Sequence, residues 1–233
     1  MTAIAGERTP LAAHECRVWW ATIADSGPHL ESLLSAHEQE RRRAYVQQDD
    51  RVRFLTGAAL LRRAVAGCES ADPWQLRVDR SCRRCGAQHG KPRLPDHPEI
   101  DVSVAHTGDL VVVAIARGPR IGVDVERIHD VDVGELARSA FAGDEAAELA
   151  ALPASERTDA FFRLWTRKES IVKALGVGIS DDFAAASAAS TGAALHELTC
   201  AAGYVATLAT LGRCDRITEL DAAGLVRAAR LTA

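Results

Sequence analysis

Two segments of this chain, 110 positions apart, carry the same pattern. Arg53-Phe-Leu-Thr56 and Arg163-Leu-Trp-Thr166 each lie in a helical stretch, and the register continues through Leu61 with Ile171, Arg63 with Lys173, Ala64 with Ala174 and Val65 with Leu175. An apolar hairpin pattern containing a glycine follows each helix, with Gly108 in the first and Gly203 in the second. Helix followed by antiparallel hairpin, without regular strand–helix–strand alternation, indicates an α+β fold. Two amphipathic helices can match by coincidence; the alternative is a duplicated α+β unit whose copies face each other across a cleft. The expected architecture is two similar halves, residues 1–120 and 121–233, each with a helix packed on an antiparallel sheet.

Local signals place the elements. Cys16-Arg-Val-Trp-Trp-Ala-Thr-Ile23 is an apolar, β-favouring run. Ser35, with Glu38 three positions on, forms a capping-box pattern that opens a helix with a basic outer side. A second helix is expected from about Asp50 to Ala66, closed by Gly67, and a short strand over Gln75–Asp79. The stretch 81–98 holds three prolines and two glycines and reads as a structured loop. Asp101–Ala105 and Leu110–Ala116 flank Thr107-Gly108-Asp109 as a hairpin, and Ile121–Glu126 is a further strand. Residues 135–152 read as helix broken at Gly143, and Asp159–Leu175 as a long helix ending at Gly176-Val-Gly178, with strands around 195–200, 203–211 and 216–220.

Charge and hydropathy exclude several classes. A net charge of −4 argues against a general nucleic-acid or membrane-surface binder, while leaving room for a local basic pocket. No apolar run approaches the ~18–20 residues of a membrane span, and Met1–Pro10 lacks the basic-then-apolar layout of a signal peptide. A cytoplasmic protein is expected, with its six cysteines as thiols.

The chemistry concentrates in a few places. In Ile121-Gly-Val-Asp-Val-Glu126, Asp124 and Glu126 share one face of a strand while Val123 and Val125 take the other. Two adjacent acids raise each other's pKa unless a cation lies between them, although a solvated sheet edge can carry such a pair. In Phe161-Phe-Arg-Leu-Trp-Thr-Arg-Lys-Glu-Ser-Ile-Val-Lys-Ala174, Trp165, Glu169 and Lys173 recur every fourth residue. Glu169 and Lys173 could be a surface ion pair, but a tryptophan on the same face points to a cleft with an aromatic wall. Gly90-Lys-Pro92 and Ala105-His-Thr-Gly108 say little singly, as a turn lysine and a satisfied histidine are common.

Their order is specific. Gly90-Lys-Pro92, then Ser103-Val-Ala-His106-Thr107, then Gly122-Val-Asp-Val-Glu126, then Trp165-x-x-Lys-Glu-Ser-x-x-Lys173 resembles the motif series of the Sfp-type 4'-phosphopantetheinyl transferases. The resemblance runs from about Ser35 to Gly178 and includes the helix Asp50–Arg62. It implies a pseudo-duplicated α+β fold and transfer of the 4'-phosphopantetheine arm of coenzyme A to a serine of an apo acyl or peptidyl carrier protein, releasing adenosine 3',5'-bisphosphate. It further implies Mg²⁺ held by Asp124, Glu126 and Glu169, with Glu169 as base and Lys173 assisting the leaving group. Asp124, Glu169 and Lys173 are then the catalytic set. Arg53, Lys91, Pro92, His106 and Thr107 join them in contacting coenzyme A, with Arg62 a weaker candidate. A monomer with one site per chain is expected, because Glu169 aligns with Ala59 and Lys173 with Arg63, which keeps only a cation for phosphate.

Two features depart from that series. Ala105 stands where many such sequences carry serine, which removes one hydroxyl contact to phosphate. The loop also contains Cys82-x-x-Cys85-x-x-x-His89, read as reduced thiols in a tight turn; zinc would need a fourth ligand such as Cys68, His97 or water. Two rival functions remain, a non-catalytic coenzyme A-binding module and a Mg²⁺-dependent phosphoanhydride hydrolase.

Overall fold

The structure, a computed structural model, describes residues 9–177 and 183–228. The leader reading of Met1–Pro10 and the helix stop at Gly178 fall wholly or partly outside these residues. In chain order the elements are β1 (Glu15–Thr22), α1 (Ala36–Ala44), α2 (Gln48–Glu69), β2 (Ile100–Thr107), β3 (Leu110–Arg117), β4 (Arg120–Arg127), α3 (Val133–Ala140), α4 (Gly143–Ala151), α5 (Ala154–Leu175), α6 (Ala188–Thr191), β5 (Ala194–Glu197), β6 (Tyr204–Leu211), β7 (Arg216–Asp221) and α7 (Ala223–Arg227).

The strands form two sheets, ordered β2-β3-β1-β7 and β4-β6-β5. All neighbours are antiparallel except β1 and β7, which run parallel. The first sheet therefore draws strands from both sides of residue 120. Helix α2 covers it, burying Phe54, Leu55, Ala58, Leu61 and Val65 at helical spacing. Helix α5 covers the second sheet with Phe161, Phe162, Ile171 and Val172. A third apolar cluster joins the two sheets, with Val18 from β1, Val112 and Ala114 from β3, Val123 and Val125 from β4, and Leu208 from β6. This is an α+β fold in two halves. No helix among the described residues is long and apolar enough to cross a membrane.

The halves are stitched where the edge strands β2 and β4 meet. Side chains complete the bonding there: the Ile121 N–H donates to Asp101 Oδ2 at 2.7 Å and the Val123 N–H to Ser103 Oγ at 3.0 Å. These bonds satisfy β4 amides that would otherwise be buried without acceptors. Ser103 is itself buried.

Several local expectations hold and others need correction. The Ser35 capping box forms, with the Glu38 N–H on Ser35 Oγ at 3.3 Å and the Ser35 N–H on Glu38 Oε2 at 2.9 Å. Helix α2 does not stop at Gly67. It continues to Glu69 and ends at Ser70, whose φ is +52°, because Cys68 still has core to pack against. The strand expected over Gln75–Asp79 reduces to one bridge, Asp79 to Arg93. The stretch 135–152 divides at Phe141 and Ala142 into α3 and α4.

The two glycines Gly67 and Gly122 make opposite predictions. A Cβ on Gly122 would lie 2.0 Å from the Ser170 carbonyl oxygen and 2.4 Å from the Ala174 nitrogen, both backbone atoms of α5. Around Gly67, inside α2, nothing lies within 4 Å. Denaturant unfolding should show Gly122→Ala destabilised by about 3 kcal/mol or more. The same measurement should show Gly67→Ala stabilised by about 0.5–1 kcal/mol.

Candidate active site

The missing side chain at Gly122 lets α5 lie directly on β4, and that contact builds the site. Every second residue of β4 faces α5: Gly122 at the point of contact, then Asp124 and Glu126 beyond it. From α5, Glu169 and Lys173 flank Ser170 and Ala174, the residues pressed on the glycine. The end of α5 is fixed as well. Gly176 caps it at φ +71°, and the Arg120 guanidinium donates to the Leu175 carbonyl.

Lys173 Nζ donates to Asp124 Oδ1 at 2.6 Å. Asp124 is only 4% exposed, and its second oxygen, Oδ2, is buried with no hydrogen-bond partner. Glu169 is buried too. Glu126 is half-buried and accepts from Thr107 Oγ1 at 3.2 Å, across the seam between the halves. Burial raises the Asp124 pKa against the pull of Lys173. Glu169 is raised by burial, which with the Asp124 charge outweighs Lys173. Burial, then the charge of Asp124, push Glu126 up to about 7. For Lys173, burial lowers the pKa, but Asp124, Glu169 and Glu126 together raise it more, so the ammonium is retained.

An unpaired buried carboxylate oxygen is costly, and acids with raised pKa values are short of positive charge. Three carboxylates of this kind fit a hard divalent cation, which takes oxygen ligands. Their oxygens stand further apart than those of the tightest ligand clusters among the described residues, which lie within 4.8 Å of one another. Among the described residues, the one cation bonded to the cluster is Lys173.

A basic rim lies over the acidic floor. His106, one residue before the end of β2, is exposed, yet surrounding protein and then the charges of Lys173 and Arg53 lower its pKa. Arg53, on α2, is held by Asp50 at 2.6 Å and by the Gly108 carbonyl at 2.6 Å. Gly108 turns the β2–β3 hairpin at φ +53°, against Tyr204 of β6, whose hydroxyl accepts the Asp109 N–H at 3.2 Å. Arg53, His106 and Thr107 from one half thus meet Asp124, Glu126, Glu169 and Lys173 from the other.

Other candidates lie elsewhere. Lys91 binds Asp101 and, at 2.8 Å, the Ile121 carbonyl. Asp101 is five residues before His106 on β2, about 17 Å along the strand. Burial lowers the Lys91 pKa, and Pro92 beside it is buried. Arg62 is buried against Glu38 at 2.6 Å and the Leu76 carbonyl at 2.5 Å, turned away from the rim. Arg63 likewise faces away, donating to the carbonyls of Leu225 at 2.5 Å and Ala228 at 2.6 Å. Trp165 does not wall the cleft: steps of four residues drift about 40° around a helix, and it packs with Phe141, Phe161 and Phe183 instead. Ala105 is buried in the cluster between the sheets.

The sequence reading gave no role to Lys168, beside Glu169. Its side chain is 2% exposed and pairs with Glu145 at 2.9 Å. It also donates to the carbonyls of Ala184 at 2.7 Å and Ala186 at 3.0 Å. This lysine ties α4 and the segment 184–186 to α5, positioning the helix that presents Glu169. Its signal in the sequence is only a cation beside an acid in a helix, which burial alone distinguishes from a surface pair.

The chain is similar to known proteins over most of its length. Residues 19–117 match the family described as 4'-phosphopantetheinyl transferase, N-terminal, and residues 120–207 match the 4'-phosphopantetheinyl transferase superfamily. The chain is 33% identical over 150 residues to the 4'-phosphopantetheinyl transferase Sfp of Bacillus subtilis, covering 64% of this chain and 63% of that protein. It is 35% identical over 156 residues to a putative 4'-phosphopantetheinyl transferase of Synechocystis, covering 66% and 61%. With the 4'-phosphopantetheinyl transferase HetI of Nostoc it shares 29% over 177 residues, covering 73% and 72%. The matched stretch spans a little under two thirds of the Bacillus and Synechocystis proteins. The two family matches adjoin in the turn between β3 and β4, and the chain belongs to the 4'-phosphopantetheinyl transferase superfamily, in its Sfp-type branch.

Proposed function

We propose that this protein transfers the 4'-phosphopantetheine arm of coenzyme A to a serine hydroxyl of an apo acyl or peptidyl carrier protein, releasing adenosine 3',5'-bisphosphate. The observation that carries this is the pairing of an acidic floor from one half with a basic rim from the other. Asp124, Glu126 and Glu169 would hold Mg²⁺, with Asp124 Oδ2 the donor that lacks a partner. Bound there, the ion would supply charge neutralisation at the pyrophosphate. Arg53 and His106 would take phosphate oxygens at the rim; arginine suits this because its planar fork donates two hydrogen bonds. Lys91, in the loop before β2, would serve phosphate only by leaving Asp101, a role that suits an extended ligand such as coenzyme A.

In the transfer, the serine oxygen forms a bond to the phosphorus bearing pantetheine, and the bond from that phosphorus to the bridging oxygen breaks. Glu169, whose raised pKa brings it closer to neutrality, would accept the serine proton directly or through water. Lys173, held as an ammonium by Asp124, would stabilise the charge left on the departing bisphosphate. The chain is proposed to work as a monomer, with coenzyme A and the carrier as its partners.

Incubation with coenzyme A, Mg²⁺ and an apo carrier protein, followed by weighing the carrier, tests this. Transfer adds the phosphopantetheine mass; a binding module adds nothing, and a hydrolase cleaves coenzyme A without modifying the carrier. Glu169→Gln and Asp124→Asn should each lower transfer by about 10²-fold or more. Asparagine is chosen because Asp124 is buried against Lys173, and the amide oxygen can still accept the lysine's hydrogen bond. Unchanged rates at saturating Mg²⁺ and coenzyme A would remove the assigned roles.

Glu126 makes a stability prediction. Its folded pKa of about 7 lies above its ordinary 4.5, so the folded state binds more protons than the unfolded state between those values. Stability of metal-free protein should therefore fall as pH rises through that window. Urea midpoints at pH 5 and pH 7.5 check the sign. The fall should shrink in Glu126→Gln and be offset by added Mg²⁺.

A further inference from the structure

Outside the active site, the loop between α2 and β2 holds a second concentration of ligating side chains. Sulfurs of Cys82 and Cys85 and a ring nitrogen of His89 lie within 4.8 Å of one another. Cys85 Sγ is 3.1 Å from His89 Nε2. The backbone is folded to bring them together: the Cys82 N–H donates to the Ala87 carbonyl and the Gly86 N–H to the Cys82 carbonyl, both at 2.8 Å, with Gly86 at φ +75°. The residues from 83 to 87 are exposed, so apolar burial does not hold the tip in this shape.

We propose that Cys82, Cys85 and His89 bind a zinc ion, with water completing a tetrahedron. Zn–S bonds of about 2.3 Å and Zn–N bonds of about 2.0–2.1 Å put the ligand atoms of a tetrahedral centre about 3.5–3.8 Å apart. The Cys85–His89 separation of 3.1 Å therefore needs to open only slightly. Two thiolates and an imidazole select a soft or borderline cation, whereas the carboxylates of the active site suit a hard one. The two sites would not compete for one metal.

Neither residue suggested by the sequence as a fourth ligand is placed to help. Cys68 is buried in the core, with its sulfur accepting from Arg17. His97 belongs to another cluster, with Glu69 and Glu99. That cluster is a weaker metal candidate, because Arg117 already pairs with Glu69 at 2.5 Å and with Glu99 at 3.2 Å. At the cysteine loop Cys85 and His89 are exposed, so solvent can reach the fourth position.

The loop's stem shows what the ion would hold. Asp79 and Arg93 exchange two backbone bonds at 2.9 and 2.8 Å, and the Gly90 N–H donates to the Arg80 carbonyl at 2.7 Å. A Cβ on Gly90 would lie 3.0 Å from the Ser81 carbonyl oxygen and 3.1 Å from Cys82 Cα. Gly90 thus packs on the strand leading into the cysteine turn, and Lys91 and Pro92 follow directly. Zinc at the tip fixes both arms of this loop and, through Gly90, the position from which Lys91 reaches Asp101. The site stands on the loop geometry alone and does not depend on the transferase reading.

The test uses the full chain without a histidine tag, purified under reducing conditions without chelator. Elemental analysis after incubation with equimolar Zn²⁺ and gel filtration should find one zinc per chain. Cys82→Ser, Cys85→Ser and His89→Ala should each lose most of it while keeping the wild-type far-UV circular dichroism. Should a variant fold poorly, Co²⁺ added to the metal-free wild type gives an independent reading. A thiolate-to-cobalt charge-transfer band should appear and saturate at one equivalent. Removing the zinc should speed hydrogen exchange at Cys82, Gly86 and Gly90 and leave α5 unchanged. Wild-type protein that retains no zinc and shows no cobalt band would overturn the proposal. So would zinc retained in full by Cys82→Ser, or a Cys82–Cys85 disulfide recovered in place of metal.

Discussion

The site depends on one backbone-to-backbone contact, α5 lying on Gly122 of β4. Any side chain at that position would push the helix off the sheet, since the nearest helix atoms are main chain and cannot rotate aside. With the helix seated, the two-residue period of the strand and the four-residue recurrence of the helix meet on one patch. That patch holds Asp124, Glu126, Glu169 and Lys173. Lys168 supports the same placement from the other side, holding α4 and the carbonyls of 184 and 186 against α5. The buried charges are thus oriented by packing, and the price of burying them appears in their raised acid pKa values.

The two halves share a plan without sharing chemistry. Register sets Ala59 of α2 opposite Glu169 of α5, and Ala59 is fully buried against the first sheet. Arg63, the counterpart of Lys173, is used to bind carbonyls of the returning tail. The first half has therefore put most of its helix to structural use and contributes to the site through Arg53, in the first turns of α2, and through His106 and Thr107 of the hairpin. Because β4 donates hydrogen bonds to Asp101 and Ser103 of β2, the rim and floor are held in fixed relation.

Much of this was legible in the sequence because the signals were local and periodic. The capping box at Ser35, the β2–β3 hairpin around Gly108, and the alternation that puts Asp124 and Glu126 on one face all follow from spacing alone. The order of short motifs pointed to the family. What could not be read depended on tertiary context. Gly67 looks like a helix stop until Cys68 is seen to have core beneath it. Trp165 shares a spacing with Glu169 and Lys173 yet drifts around the helix into an aromatic cluster. Arg62 and Arg63 look like phosphate ligands, but both turn into the protein, where Glu38 and main-chain carbonyls bind them. Lys168, a charged residue in a polar run, gives no sign of being among the most buried side chains of the molecule.

The central claim is that the two halves build a single site from an acidic floor and a basic rim, and that coenzyme A and a divalent cation bind there together. Calorimetric titration of coenzyme A into the protein, with and without Mg²⁺, addresses it most directly. The account predicts one coenzyme A per chain, bound more tightly with Mg²⁺, and loss of that enhancement in Asp124→Asn. Two coenzyme A molecules per chain, or an affinity indifferent to Mg²⁺ and to Asp124, would contradict it.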